Sequence, residues 1–212
     1  MSSVNPTVFI VEDDVVIAEA MGWLFKTVGL NVEHFPNGKA YLNAHDPNRQ
    51  GCLIIDVRMP EMSGLELQEK LIQKKSRLPI LFITGHGDIQ LAVRAMRAGA
   101  LNFITKPFND QALLDEVQRA IALNIKQTVE TNIAEHFENY QKLSSREKII
   151  MKSVVDGKLN KEVAHELDIA VSTVELHRSN VMQKMKASSL AQLIKIYLLL
   201  ENANLLNETS TA

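Results

Sequence analysis

Five short apolar runs, separated by amphipathic stretches, constrain the first 108 residues of this chain more than any other feature. The runs cover residues 7–11, 31–35, 52–56, 78–83 and 101–105. Three of them are near-continuously hydrophobic and rich in β-branched residues, the pattern of strands covered on both faces. Between them, residues 15–28, 64–74 and 88–98 carry helical spacing. A repeated strand–helix order requires a parallel sheet with right-handed crossovers and helices on both faces.

The remainder is helical by pattern. Residues 109–142 contain no Gly or Pro, and Leu113, Leu114, Val117, Ile121, Ile125, Val129, Ile133 and Phe137 recur at spacings of three and four. The expected division is an α/β domain over 1–125, a helical linker over 126–142, an all-α domain over 143–202 and a disordered tail over 203–212. The linker drifts from a strict heptad, so a coiled coil is left open. In the third segment Ser144 and Glu147 form a capping box. Asn160, Ser172 and Ser188 are the expected caps of the three later helices.

Charge is divided unevenly. Residues 1–142 hold 14 Lys and Arg against 17 Asp and Glu, and residues 143–201 hold 9 against 7. A basic second part fits a nucleic-acid partner. The single cysteine, Cys52, excludes an internal disulfide. The start carries no signal-peptide pattern, and the longest apolar run, 196–200, is too short to span a bilayer. A cytoplasmic protein without membrane attachment is expected.

Polar residues collect at the strand ends. Glu12 and Asp13 follow the first strand, Asp56 ends the third, Thr84 follows the fourth and Lys106 the fifth. Strand carboxyl ends of an open parallel sheet converge on one crevice. Three carboxylates gathered there need a cation, and an all-oxygen ligand set suits Mg²⁺, or Mn²⁺. A carboxylate in such a site can take a phosphoryl group as an acyl phosphate, with Lys106 and Thr84 against the transferred oxygens. Taken singly, each has an ordinary reading: a cap, a turn, a loop residue. Asp14 reads as a helix cap, His86 as a loop histidine, and Met59, Met62 and Trp23 as packing.

The segments VFIVEDD, LIIDVRMPEMSGLEL, FITGHGD and FITKPF, in this order and separation, resemble a response-regulator receiver domain over residues 7 to about 125. The resemblance implies a flavodoxin-like (βα)5 fold with sheet order 2-1-3-4-5. It further implies Asp56 as phosphoacceptor, and a metal held by Glu12, Asp13, Asp56 and the backbone carbonyl of Arg58. Thr84 and Lys106 would contact the phosphoryl group, Lys106-Pro107 would be cis, and Thr84 with Phe103 would form the switch. Glu12 stands where Asp is commoner in the family.

In residues 143–201, a helix, a short connection and a second helix fill 160–186. Val174, His177, Val181 and Met185 share one face of the second helix, and Glu175, Leu176, Ser179 and Gln183 another. The second face suits base edges in a major groove, with Arg178, Lys184 and Lys161 near phosphates. A plain helical bundle gives the same pattern. Residues 143–194 are similar to the LuxR-type helix-turn-helix of FixJ and NarL regulators. That similarity implies base contacts from Glu175, Leu176 and Ser179, and phosphate contacts from Lys161, Thr173, Arg178 and Asn180.

The combined expectation is a two-component transcription regulator, a switch rather than an enzyme. Its partners would be a sensor histidine kinase, double-stranded promoter DNA, RNA polymerase and, on activation, a second copy of itself. An orphan DNA-binding regulator outside phosphorylation control is the alternative. A haloacid-dehalogenase-type phosphotransferase is disfavoured, because it needs a second acid two residues after its nucleophile and position 58 is Arg.

Overall fold

The computed structural model describes residues 6–85 and 89–206. The chain divides into two compact units, Met1–Gln127 and Thr128–Ala212. The strands of the first unit are β1 (Thr7–Val11), β2 (Asn31–Phe35), β3 (Gly51–Asp56), β4 (Ile80–Thr84) and β5 (Asn102–Thr105). All pair in parallel, in the order β2-β1-β3-β4-β5. The doubly wound expectation holds. Three strands shift at their ends: β3 begins at Gly51 and β5 at Asn102, each one residue from expectation, and β4 starts at Ile80 rather than residue 78 and includes Thr84. Pro79 has no N–H to give a ladder, although its carbonyl accepts from Leu53 N at 2.9 Å.

The pleat sorts alternate side chains to two cores. Phe9, Val11, Leu53, Ile55 and Phe82 meet α2 (Gly38–Ala44), α3 (Gly64–Gln73) and α4 (Ile89–Arg97) on one face. Val8, Ile10, Ile54, Leu81 and Ile83 meet α1 (Val15–Thr27) and the start of α5 (Asp110–Gln141) on the other. Asp14 caps α1, accepting from Val16 N and Ile17 N. Met59 is buried and Met62 packs beside it. Trp23 does not pack: it is 72% exposed, because the inner face of α1 is already filled by Ala18, Met21 and Phe25. Cys52 is buried, and burial pushes its thiol up to about 12.

The second unit contains α6 (Ser145–Val155), α7 (Asn160–Leu167), α8 (Val171–Lys184) and α9 (Leu190–Asn202). Their core joins Ile150, Met151, Val163, Val174, Val181, Leu193 and Leu200. Ile133, Phe137 and Tyr140, assigned by sequence to a linker, pack on the same core. So do Leu205 and Leu206, which fell in the expected tail. The rest of that tail, 207–212, lies outside the described residues.

Three caps differ from expectation by a residue or more. Leu159 precedes α7, its N–H donating to Glu162 Oε2 at 2.7 Å, so Asn160 is the first helical residue. Ala170 precedes α8 without a side-chain cap, leaving Ser172 inside the helix. Ser189, not Ser188, caps α9 by accepting from Gln192 N. The Ser144–Glu147 capping box forms as expected.

Glu147 does more than cap. Its carboxylate, only 4% exposed, also accepts from Lys184 Nζ at 2.7 Å. Burial works against its charge, but Lys184 and the Ser144 amide and hydroxyl prevail and hold it below the usual carboxylate range. A carboxylate lowered on folding contributes stability above its unfolded pKa and loses it as pH falls through the folded one. Below about pH 4.5 the second unit will therefore lose thermal stability progressively, and Glu147→Gln will flatten that decline. The check is a series of circular-dichroism melts against pH.

A candidate phosphoacceptor site at the sheet edge

The carboxyl ends of β1, β3, β4 and β5 bring the expected polar residues together. Lys106 Nζ lies 2.7 Å from Glu12 Oε2 and 2.9 Å from Asp56 Oδ1, bridging the two acids. The second oxygen of Asp56 accepts from Arg58 N at 2.7 Å, an amide contact the sequence reading did not foresee. Glu12 Oε1 accepts from Asp14 N at 3.4 Å, and its carbonyl meets His34 Nε2 at 2.8 Å. Glu12, Asp56 and Thr84 are buried, and Asp13 is exposed at the rim. Lys106 N donates to Thr84 O at 2.7 Å, and the Lys106-Pro107 peptide is cis.

Gly64 holds the loop after Asp56 close. Its N–H donates to Val57 O, and a Cβ there would overlap the Asp56 carbonyl. Phe103 is half-buried on the α4 side of the sheet, 6.3 Å from Phe82 centroid to centroid. His86 lies outside the described residues.

The electrostatics follow from burial and crowding. Burial, with the charge of Asp56 adding to it, raises the Glu12 carboxyl above its usual range despite the Lys106 hydrogen bond. Burial opposes the Lys106 ammonium too, but its two acid partners outweigh it and the ammonium is held above the usual lysine range. Glu12, Asp13 and Asp56 each offer an oxygen within 4.8 Å of the others. Three carboxylates against one ammonium leave a formal charge of −2, which one divalent cation offsets. Oxygen ligands, one of them open to water, suit Mg²⁺. The residues present therefore fit the ion.

The expected nucleic-acid face of the second unit is laid out on α8. Val174, Val181 and Met185 point into the core with His177 half-buried, while Glu175, Leu176, Ser179 and Gln183 are exposed. Lys161 is exposed, and Thr173 and Asn180 are half-buried. Arg178 is half-buried and donates from Nη1 to Asn160 Oδ1. Lys184 donates to Glu147, a long-range pairing that no local pattern announces.

Residues 8–118 match the family model described as response regulator receiver domain, and 141–197 that of bacterial regulatory proteins, luxR family. The chain belongs to the response-regulator family. This regulator is 44% identical over 197 residues to the response regulator protein TodT of Pseudomonas putida, covering 92% of this chain and 87% of that one. It is 39% identical over 193 residues to the transcriptional regulatory protein FixJ of Rhizobium meliloti, covering 91% and 95%. Among solved structures, the response regulator StyR is similar at 42% identity and TM-score 0.64, over 92% of this chain and 98% of that one. Full-length FixJ from B. japonicum gives 34% identity and TM-score 0.56, over 93% and 98%. The regulator thus joins a receiver domain to a LuxR-type DNA-binding domain. No helix among the described residues is long and apolar enough to cross a membrane.

Lys106 and a divalent cation compete for the same carboxylates. Replacing Lys106 by Gln removes the positive charge between Glu12 and Asp56, and Mg²⁺ affinity should rise by about tenfold or more. Isothermal titration with MgCl₂ reads this directly.

Proposed function

We propose that this regulator is switched by phosphorylation of Asp56 and that the phosphorylated form binds promoter DNA through α8. The observation that carries the reading is the bridge from Lys106 Nζ to Glu12 and Asp56 beside a third carboxylate. Glu12, Asp13, Asp56 and the Arg58 carbonyl would hold Mg²⁺, or Mn²⁺. Bound there, the ion supplies positive charge for an incoming phosphoryl group.

Asp56 Oδ attacks the phosphorus of a phosphohistidine on the sensor kinase. The new O–P bond forms as the N–P bond breaks, and the kinase imidazole departs with the electron pair. Lys106, freed from Asp56 Oδ1 as that oxygen is esterified, turns its ammonium to a phosphoryl oxygen. Thr84, at the end of the adjacent strand, places its hydroxyl on another. Drawing Thr84 inward vacates space on the α4 side of the sheet, which Phe103 enters. The phosphoryl group on Asp56 binds one arrangement of β4, β5 and α4 better than the other, and this difference is the switch.

In the output domain, Glu175, Leu176 and Ser179 are set toward base edges, with Lys161, Thr173, Arg178 and Asn180 toward phosphates. Activation makes a dimer, matching a two-fold DNA site. Much of the apolar surface of α9 is already buried in its own unit, including Leu193, Ile196, Tyr197 and Leu200. What remains exposed or half-exposed is Leu199 and the stripe Leu190, Ile194 and Leu198. This stripe is enough for a small symmetric contact. RNA polymerase at the promoter and a cytoplasmic location complete the reading.

Two experiments test it. With acetyl phosphate and Mg²⁺ the wild type takes up one phosphoryl group, and Asp56→Asn or chelation of the metal abolishes uptake; equal labelling of Asp56→Asn refutes the assignment. Selection of DNA from a random pool should return a changed base preference for Glu175→Ala. Arg178→Ala should bind every sequence more weakly, with a shallower salt dependence. A Glu175→Ala selection identical to the wild type would remove α8 from the reading role.

A further inference from the structure

Between α6, α8 and α9 the second unit carries a partly open pocket. Ile150, Met151 and Val154 of α6, Val181 and Met182 of α8 and Leu193 of α9 surround a cavity of about 140 Å³. It lies against residues as buried as Ile150, Met151 and Val181, each at most 1% exposed. Leu190, 44% exposed, and Arg178 stand at its edge.

The wall decides what can fill it. A buried water needs two to four polar partners. The cavity offers one polar side chain, Arg178, whose Nη1 already donates to Asn160. A charged or strongly polar occupant would be desolvated without compensation. An apolar cavity of about 150 Å³ is known to stay dry and take up benzene. Two thioethers, Met151 and Met182, line this one, and sulfur favours the edge of an aromatic ring.

We propose that the cavity between α6, α8 and α9 is a binding site for one compact, uncharged apolar molecule, best matched by a single six-membered aromatic ring. Its occupant would touch Val181, Met182 and Arg178 of α8. Nothing in this site depends on Asp56, and of its lining only Arg178 is shared with the proposed DNA contacts.

The test uses the full chain with ¹³C-methyl-labelled methionine, eight signals in all, titrated with benzene. Met151 and Met182 should shift saturably, half-complete at about 1 mM for the burial of six carbons, while the other six stay in place. Val154→Phe fills the cavity and Leu190→Trp obstructs its edge, and both should abolish the saturable shift. Because Leu190 is half in solvent, its variant keeps the test intact if the buried Val154→Phe fails to fold. Cyclohexane should bind severalfold more weakly. No saturable shift at the two methionines, a uniform drift of all eight, or a shift that survives in the folded variants would overturn the site. Equal binding of cyclohexane would overturn its aromatic preference. Signals of Met151 and Met182 that move with protein concentration alone would mean that a second copy fills the cavity.

Discussion

Everything at the functional edge of this protein turns on one ammonium placed between two buried carboxylates. Lys106 pairs with both Glu12 and Asp56 and offsets part of their charge, although burial still raises the Glu12 carboxyl. The compensation is partial by design of the chemistry: Asp13 remains, and a divalent cation has a reason to enter. In the mechanism proposed above the same ammonium leaves Asp56 as that oxygen is esterified, so a stabilising contact in one state becomes a ligand in the next. A residue fixed by structure alone would have no such second task.

The sheet supplies the positions from which this happens. Parallel strands end together, and their register places Asp56 beside Ile83 and Thr84 beside Thr105. Neighbouring ends are then within reach of one small anion. Gly64 extends the same logic to the loop, since only a residue without a Cβ lets α3 begin against the Asp56 carbonyl. The helices of each face hold the edge in place through separate cores, one against α1 and α5, the other against α2, α3 and α4.

Much of this was legible in the sequence because it rests on periodicity and on strand ends. The parallel sheet, the convergence of Glu12, Asp13, Asp56, Thr84 and Lys106, and the apolar face of α8 follow from patterns a few residues long, whereas the strand order came from the family resemblance. What escaped was decided by competition between neighbours or by distant partners. Ser188 and Ser189 are both good caps, and only the path of the chain chooses between them. The pairing of Lys184 with Glu147, 37 residues away, could not be read from local sequence. The Arg58 amide on Asp56 is backbone, so no side-chain pattern could signal it. A cavity is a matter of shape, which composition does not encode. Trp23 was misjudged because hydrophobicity was taken for burial, although α1 had already filled its inner face.

That exposed indole has an optical consequence. It is the one tryptophan of the chain, and it stands in water in the folded state. Its emission will already be red-shifted before any denaturant is added, so unfolding will alter the spectrum little. The same fluorophore will respond strongly when another surface covers α1. Intrinsic fluorescence of this regulator is thus a poor thermometer of its fold and a ready gauge of encounters on one face of its receiver domain.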